Sequence, residues 1–71
     1  MEEISIENRV RLARLEKGLT QEQLAELVGV TRQTIILIEA GKYNPTLKLC
    51  LMVKKVTGKS LDDLFWIKGE K

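Results

Sequence analysis

Apolar residues recur every three or four positions along most of this chain, in short blocks that end at glycines. These glycines are Gly18, Gly29, Gly41 and Gly58. A residue suited to cap the start of a helix follows each of them, namely Thr20, Thr31, Thr46 and Ser60. Glycine commonly closes a helix and a short hydroxyl side chain commonly opens one. The alternation predicts five helices, near residues 5–17, 21–28, 32–40, 47–57 and 61–66.

Local details favour helices over strands throughout. Thr20 and Gln23 have the spacing of a capping box, in which each side chain satisfies a backbone N–H of the first turn. The apolar run at residues 35–38 could form a strand, but Thr31 and Gly41 bracket it at helical spacing. We therefore expect an all-α fold.

The second and third predicted helices carry a distinctive division of faces. Inward-facing residues are expected in all three helices, at Ile6, Val10, Ala13 and Leu15 in the first, at Leu24, Ala25, Leu27 and Val28 in the second, and at Ile35 and Ile38 in the third. Gly29 permits a sharp turn between helices 2 and 3, and Val30 fills its corner. The outer side of helix 3 then presents Gln33, Ile36 and Leu37, with Arg32 at its edge. Arginine can donate two hydrogen bonds to guanine, and glutamine can pair with adenine.

Size and composition narrow the possible functions. The 71 residues make one domain, and no apolar run approaches the roughly 20 residues of a membrane helix. The acidic N-terminus is unlike a secretory signal, and the single cysteine, Cys50, fits a reducing cytoplasm. Histidine is absent, and no nucleophile–base set appears. We expect no enzymatic activity, no cofactor, no metal site and no small-molecule ligand.

The charge is more informative in its distribution than in its total. The net charge is only +2, but residues 27–59 contain six basic residues and one acid, Glu39. This basic middle fits a surface that faces phosphates. It fits a solvated surface with charge scattered by chance equally well.

The segment LTQEQLAELVGVTRQTIILIEAGKYNP, residues 19–45, closely resembles the helix-turn-helix of the lambda-repressor/Cro-like (XRE) transcriptional regulators. The similarity extends over residues 8–65, with short extensions on either side in a single domain spanning residues 1–71. It implies a compact five-helix lambda-repressor-like domain whose helices 2 and 3 bind the major groove of double-stranded DNA.

The resemblance also implies roles for individual residues. Base reading falls to Arg32, Gln33 and Leu37. Contacts with the DNA backbone fall to Gln21, Thr31, Thr34, Lys42, Tyr43 and the start of helix 4 at Thr46. Arg14 and Glu39 match a partly buried salt bridge, which is a structural feature.

Ile36 and Leu37 depart from the polar residues usual in this family. They could pack inward, in which case the helical phase inferred above is wrong. They could instead contact thymine methyl groups, which apolar side chains can read in the major groove. A third possibility is that they contact a protein.

At the C-terminus, Trp66 and Ile67 exceed what a monomer core of this size requires, and they make a plausible dimer contact. The alternative is that Trp66 folds back over helix 4 or helix 1 of a monomer. Two half-sites one helical turn of DNA apart require two subunits, which favours the homodimer.

Together these features predict a cytoplasmic prokaryotic transcriptional regulator, a repressor that binds a palindromic operator as a homodimer. The alternative is an antitoxin-type module that binds a toxin, with DNA binding secondary or absent. The apolar pair Ile36 and Leu37 and the apolar end at Trp66 and Ile67 motivate that alternative.

Overall fold

The computed structural model of the chain describes residues 5–69, in which five helices lie between two short strands. The elements are β1 (Ile6–Asn8), α1 (Val10–Glu16), α2 (Gln21–Val28), α3 (Arg32–Glu39), α4 (Leu47–Thr57), α5 (Leu61–Leu64) and β2 (Phe65–Ile67). The predicted bounds of helices 2 and 4 are confirmed, and helix 3 ends one residue earlier than predicted. At 11 residues, α4 is the longest helix in this part of the chain, and none is long and apolar enough to cross a membrane.

The predicted helix caps are present. The hydroxyls of Thr20, Thr31, Thr46 and Ser60 each accept a hydrogen bond from the backbone N–H three residues later. At Thr20 the capping box is complete, because the Thr20 N–H also donates to Gln23 Oε1 at 2.8 Å. Four of the helix starts are therefore fixed by local sequence.

The ends of the described chain differ from prediction. The sequence predicts helix at residues 5–8 and 65–66, but β1 and β2 form an antiparallel pair in which Ile6 faces Ile67 and Asn8 faces Phe65. The five predicted helices are present, and the predicted extents of the first and the last are wrong. Branched and aromatic residues at 65–67 favour an extended backbone. The two strands also form backbone hydrogen bonds with each other. Since 60 or so residues separate the partners, neither strand has a local turn signal.

The core lies where the five helices meet. Its fully buried side chains are Val10, Leu24, Ile35, Ile38, Val53 and Leu64. Three predicted inward positions are wrong, because Ile6 is 40% exposed, Leu15 is 49% exposed and Leu27 is 53% exposed. The helices α1 and α2 are short and each buries only a narrow stripe, so a leucine at the edge of the stripe stays in solvent.

Candidate nucleic-acid interface

The turn between α2 and α3 sets the direction of α3. Gly29 ends α2 in the left-handed conformation, with a φ of 79°. The Val30 N–H then donates to the Ala25 carbonyl at 3.0 Å, and the Val30 side chain packs against the core. Ile35 and Ile38 are fully buried beneath α3, as predicted. The opposite side of α3 is therefore directed away from the protein.

The first turn of α3 presents two polar side chains to solvent. Arg32 and Gln33 are both exposed, and the first turn contains no acid. Within residues 5–69 the Arg32 guanidinium has no hydrogen-bond or ion-pair partner. Its donors are free for a ligand that offers two acceptors, such as the edge of guanine.

Ile36 and Leu37 in α3 are half-buried. Because Ile35 and Ile38 occupy the buried face, the helical phase inferred from the sequence is right and the phase-error alternative is wrong. Residues 33, 36 and 37 are spaced to share one face of a helix. The accessible parts of Ile36 and Leu37 therefore extend the surface that begins at Gln33.

A shallow groove joins the N-terminal ends of α2 and α3. It is lined by Arg14, Thr20, Gln21, Glu22 and Arg32. The structure thus brings together Gln21 and Arg32, two predicted DNA contacts that lie 11 positions apart in the chain. Glu22 introduces a negative charge at this groove, where it also complements the positive N-terminal end of α2.

The predicted salt bridge between Arg14 and Glu39 is present beneath this groove. Arg14 Nε lies 2.7 Å from Glu39 Oε2, and Nη2 donates to Oε1 at 3.2 Å. Both side chains are more than nine-tenths buried. Sequence reasoning missed two further partners, since Arg14 Nη1 donates to the Leu19 carbonyl and Gln21 Nε2 donates to Glu39 Oε1. The pair therefore anchors Gln21 as well as α3.

The loop after α3 presents the remaining predicted contacts. Lys42 is exposed, and its N–H donates to the Leu37 carbonyl at 2.9 Å. Tyr43 and Thr46 line a second groove, together with the turn at Gly29 and Val30. This loop therefore flanks the turn that orients α3.

The three hydroxyl side chains among the predicted backbone contacts already have structural partners, as Gln21 does. Thr31 Oγ1 accepts from the Thr34 N–H and lies 3.1 Å from Thr34 Oγ1. Thr46 Oγ1 accepts from the Leu49 N–H at 3.2 Å. A hydroxyl can form more than one hydrogen bond, so capping a helix is compatible with a phosphate contact.

The basic residues of the middle segment do not all lie at this surface. Lys54, Lys55 and Lys59 line a separate groove beside Leu51, and Lys59 Nζ lies 2.8 Å from Glu16 Oε1. The basic residues of this segment therefore lie on two separate surfaces of the folded protein. Arg32, Lys42 and Lys48 belong to the candidate interface, and none of the other three lysines lines its grooves.

Nothing in the helix-turn-helix pattern marks Asn8 as a functional residue. Its Nδ2 donates to the Ile38 carbonyl at 2.8 Å, and its Oδ1 accepts from the Val10 N–H at 3.1 Å. An asparagine two residues before the first helical N–H is a known local capping signal. The bond to Ile38 spans 30 positions and leaves no such signal.

The C-terminal aromatic residue has contacts within its own chain. Trp66 Nε1 donates to Glu7 Oε2 at 3.2 Å, and the Arg9 guanidinium lies 4.9 Å from the centre of the Trp66 ring. Ile67, in contrast, is 39% exposed, and its strand partner Ile6 is 40% exposed. Trp66 thus folds back on β1 and the start of α1, while an apolar pair stays accessible at the sheet.

Cys50 is half-buried, and this burial raises the pKa of its thiol. It is therefore mainly protonated at neutral pH, and the thiolate is the form that attacks electrophiles and binds metals. Among residues 5–69, no group of three or more histidine, cysteine or acidic side chains is arranged to hold a metal ion.

Comparison with known proteins gives a consistent family. A family model described as helix-turn-helix matches residues 10–64. An HTH-type transcriptional regulator of Bacillus subtilis, YgzD, is 43% identical over 65 residues, which are 92% of this chain and 98% of that protein. One from Archaeoglobus fulgidus is 47% identical over 57 residues, which are 80% of this chain and 81% of that protein. Both relatives are named as transcriptional regulators, so they do not favour the antitoxin alternative.

Solved structures share the fold. The restriction-modification controller protein C.AhdI from Aeromonas hydrophila has a TM-score of 0.70 and 31% identity, over 76% of this chain and 82% of that one. The clp gene regulator ClgR from Corynebacterium glutamicum has a TM-score of 0.71 and 30% identity. The similarity covers 76% of this chain but only 57% of ClgR.

Proposed function

Because the chain belongs to the helix-turn-helix family of DNA-binding transcriptional regulators, we propose that it is a repressor that binds a palindromic operator as a homodimer. One observation carries the proposal. The exposed first turn of α3 places Arg32 and Gln33 beside a groove that also contains Gln21. A helix with accessible polar residues at its start, flanked by backbone-contacting groups, is suited to the major groove.

Base recognition is assigned to the outer side of α3. Arg32 donates two hydrogen bonds to a guanine, and Gln33 pairs with an adenine. Ile36 and Leu37 contact thymine methyl groups through the parts that the core leaves accessible. Each half-site is therefore expected to contain a guanine near the start of α3 and T·A pairs further along.

Backbone contacts are assigned to the residues that flank α3. They are Gln21, Thr31, Thr34, Lys42, Tyr43 and the N-terminal end of α4 at Thr46. Gln21 is already oriented by Glu39, which reduces the entropy lost when its amide binds a phosphate. Phosphate contacts set affinity and its salt dependence, while the α3 contacts set specificity.

The homodimer is supported by geometry and by exposed apolar surface. Two recognition helices must enter successive major grooves, roughly 34 Å apart. Ile67, with its strand partner Ile6, offers accessible apolar surface on one face of the sheet, and Trp66 is the next residue along the strand, on the other face. We assign the dimer contact to Trp66 and Ile67.

Repression is the mode of action that requires the fewest contacts. A bound dimer blocks transcription by occupying the promoter, whereas activation also requires a productive contact with the polymerase. The proposed function places the protein in the cytoplasm, where a prokaryotic operator lies.

Selection of bound sequences from random duplex DNA tests the proposal. Enrichment of a palindrome with T·A pairs facing Ile36 and Leu37 is the expected outcome. The matched control is the double variant Arg32→Ala with Gln33→Ala, whose altered side chains are exposed and should leave the fold intact. If the wild-type chain enriches no sequence, the assignment of operator binding is wrong.

A further inference from the structure

We propose that Asn8 is a positioning residue for α3, which sets the angle at which the recognition helix meets DNA. The inference rests on the proposed function, because it concerns how well Arg32 and Gln33 discriminate bases. Asn8 lies in β1, outside the helix-turn-helix itself. Its role follows from three features of its surroundings.

The first feature is the bond that Asn8 makes to the end of α3. Its Nδ2 donates at 2.8 Å to the carbonyl of Ile38, which lies in the last turn of the helix. The same carbonyl accepts the Gly41 N–H at 2.9 Å, and the Leu37 carbonyl accepts the Lys42 N–H at 2.9 Å. Asn8 therefore contacts the backbone where α3 ends and the loop containing Lys42 begins.

The second feature is that Asn8 is itself held in place. Its Oδ1 accepts from the Val10 N–H at 3.1 Å, and its backbone lies opposite Phe65 in the sheet. The next residue, Arg9, donates its N–H to the Leu64 carbonyl at 2.9 Å. The start of α1 and the paired strands thus hold the side-chain amide of Asn8 in position to donate to α3.

The third feature is that α3 has a second polar contact beside Ile38. Arg14, in α1, pairs with the side chain of Glu39, which is one residue beyond Ile38. That contact ends on a side chain, whereas the bond from Asn8 ends on the backbone of α3. The bond from Asn8 therefore acts on the path of the helix itself.

A small pivot would have a large effect on base reading. Arg32 lies six residues before Ile38, which is roughly 9 Å along a helix at 1.5 Å per residue. A tilt of about 10° at Ile38 would therefore move Arg32 by roughly 1.5 Å. Hydrogen bonds to base edges tolerate only a few tenths of an ångström, so such a tilt would disrupt them.

Two substitutions remove the bond to Ile38. Asn8→Asp has the same shape and keeps an acceptor for the Val10 N–H, but it replaces the donor with a negatively charged oxygen that faces the Ile38 carbonyl. Asn8→Ser keeps a short capping oxygen and cannot reach as far as the amide. The control is Ser60→Ala, which removes the hydroxyl that caps α5, and α5 contacts mainly α4 and β2. Thermal melts establish the temperature at which each variant is fully folded.

The first measurement is the ratio of affinities for the selected operator and for random DNA. Both Asn8 variants should lose about tenfold in this ratio, comparable to one mismatched base pair. Ser60→Ala should keep the wild-type ratio. An unchanged ratio in folded Asn8→Asp and Asn8→Ser would overturn the inference, and so would loss of the fold in both, since Asn8 would then act on stability alone.

The second measurement needs no DNA. In amide NMR spectra, the signals of Gly41 and Lys42 should move in both Asn8 variants and stay in place in Ser60→Ala. If the wild-type chain selects no operator, the proposed function fails, and these spectra decide the role of Asn8 separately. Unmoved Gly41 and Lys42 signals would show that Asn8 does not position the end of α3.

Discussion

At the level of single residues, α3 carries side chains proposed to recognise DNA bases on one face and side chains that pack in the core on the other. Arg32 and Gln33 are exposed, while Ile35 and Ile38 beneath them are fully buried. Substitution of the exposed pair should therefore affect binding without affecting the core. Substitution of the buried charged pair, Arg14 and Glu39, should instead lower the stability of the fold.

Arg32→Ala or Gln33→Ala should each lose roughly 1–3 kcal/mol of discrimination between operator and random DNA. The reason is that each removes base-edge hydrogen bonds that random sequence does not satisfy. Fluorescence anisotropy with both DNAs measures the loss, and circular dichroism should show an unchanged fold. Lys54→Ala, on a separate groove, is the control for loss of positive charge. Equal discrimination by wild type and variants would remove these residues from the recognition surface.

Glu39→Ala should destabilise the fold by roughly 3–5 kcal/mol, because it leaves the buried Arg14 guanidinium without its charge partner. This is a large share of the 5–15 kcal/mol typical of a whole domain. Urea unfolding measures the change. The double variant Arg14→Met with Glu39→Leu, which removes both charges, should recover much of the loss. If Glu39→Ala alone cost less than about 1 kcal/mol, the pair would behave as an exposed one.

At the scale of secondary-structure elements, local sequence fixes where helices begin and end. The capping hydroxyls before α2, α3, α4 and α5 accept the bonds that their positions predict. The turn between α2 and α3 depends on Gly29, because its φ of 79° is rarely adopted by other residues. The cost of replacing this glycine is therefore open to a direct test.

Gly29→Ala should lower stability by about 1 kcal/mol, and the thermal midpoint by about 4–8 °C for a domain of this size. Apart from the adjoining residues, no heavy atom in the described part of the chain lies within 4 Å of the added Cβ, so the cost is conformational and not a clash. Thermal melts followed by circular dichroism measure it. Gly29→Asn is the matched control and should lose less, because asparagine tolerates this conformation better. An alanine variant as stable as wild type would contradict the role of the left-handed turn.

At the scale of the whole molecule, the two ends of the described chain meet in one small sheet. This pairing leaves Ile6 and Ile67 accessible side by side, although each is apolar. It also gives Trp66 contacts with Glu7 and Arg9. The surface proposed for the dimer thus combines both ends of the chain.

Ile67→Asp should convert a dimer to a monomer, because it places a charge in the proposed apolar contact. Sedimentation velocity at micromolar concentration measures the change, and affinity for a full palindrome should fall towards that for a half-site. The control is Leu15→Asp, which changes an exposed leucine on α1 that lines neither groove of the candidate interface. A wild-type chain that sediments as a monomer, or a dimer that survives Ile67→Asp, would contradict the assignment.

Much of this molecule could be predicted from its sequence because the relevant signals are local. Helical periodicity, capping hydroxyls and the glycine at position 29 act within a few residues of the structure they specify. The phase of α3, and hence the exposure of Arg32 and Gln33, follows from Ile35 and Ile38 in the same helix. The salt bridge between Arg14 and Glu39 was predictable only through family resemblance, because its partners are 25 positions apart.

Four helix starts, the turn at Gly29 and the outward face of α3 can be read directly from the amino-acid order. The strands at residues 6–8 and 65–67, the exposure of Leu15 and Leu27, and the contact of Asn8 with Ile38 emerge only in the folded chain. The two groups differ in the range of the interactions that produce them. Caps and periodicity operate within one or two helical turns, whereas strand pairing, burial and the Asn8 bond depend on residues that become neighbours only after the chain has folded.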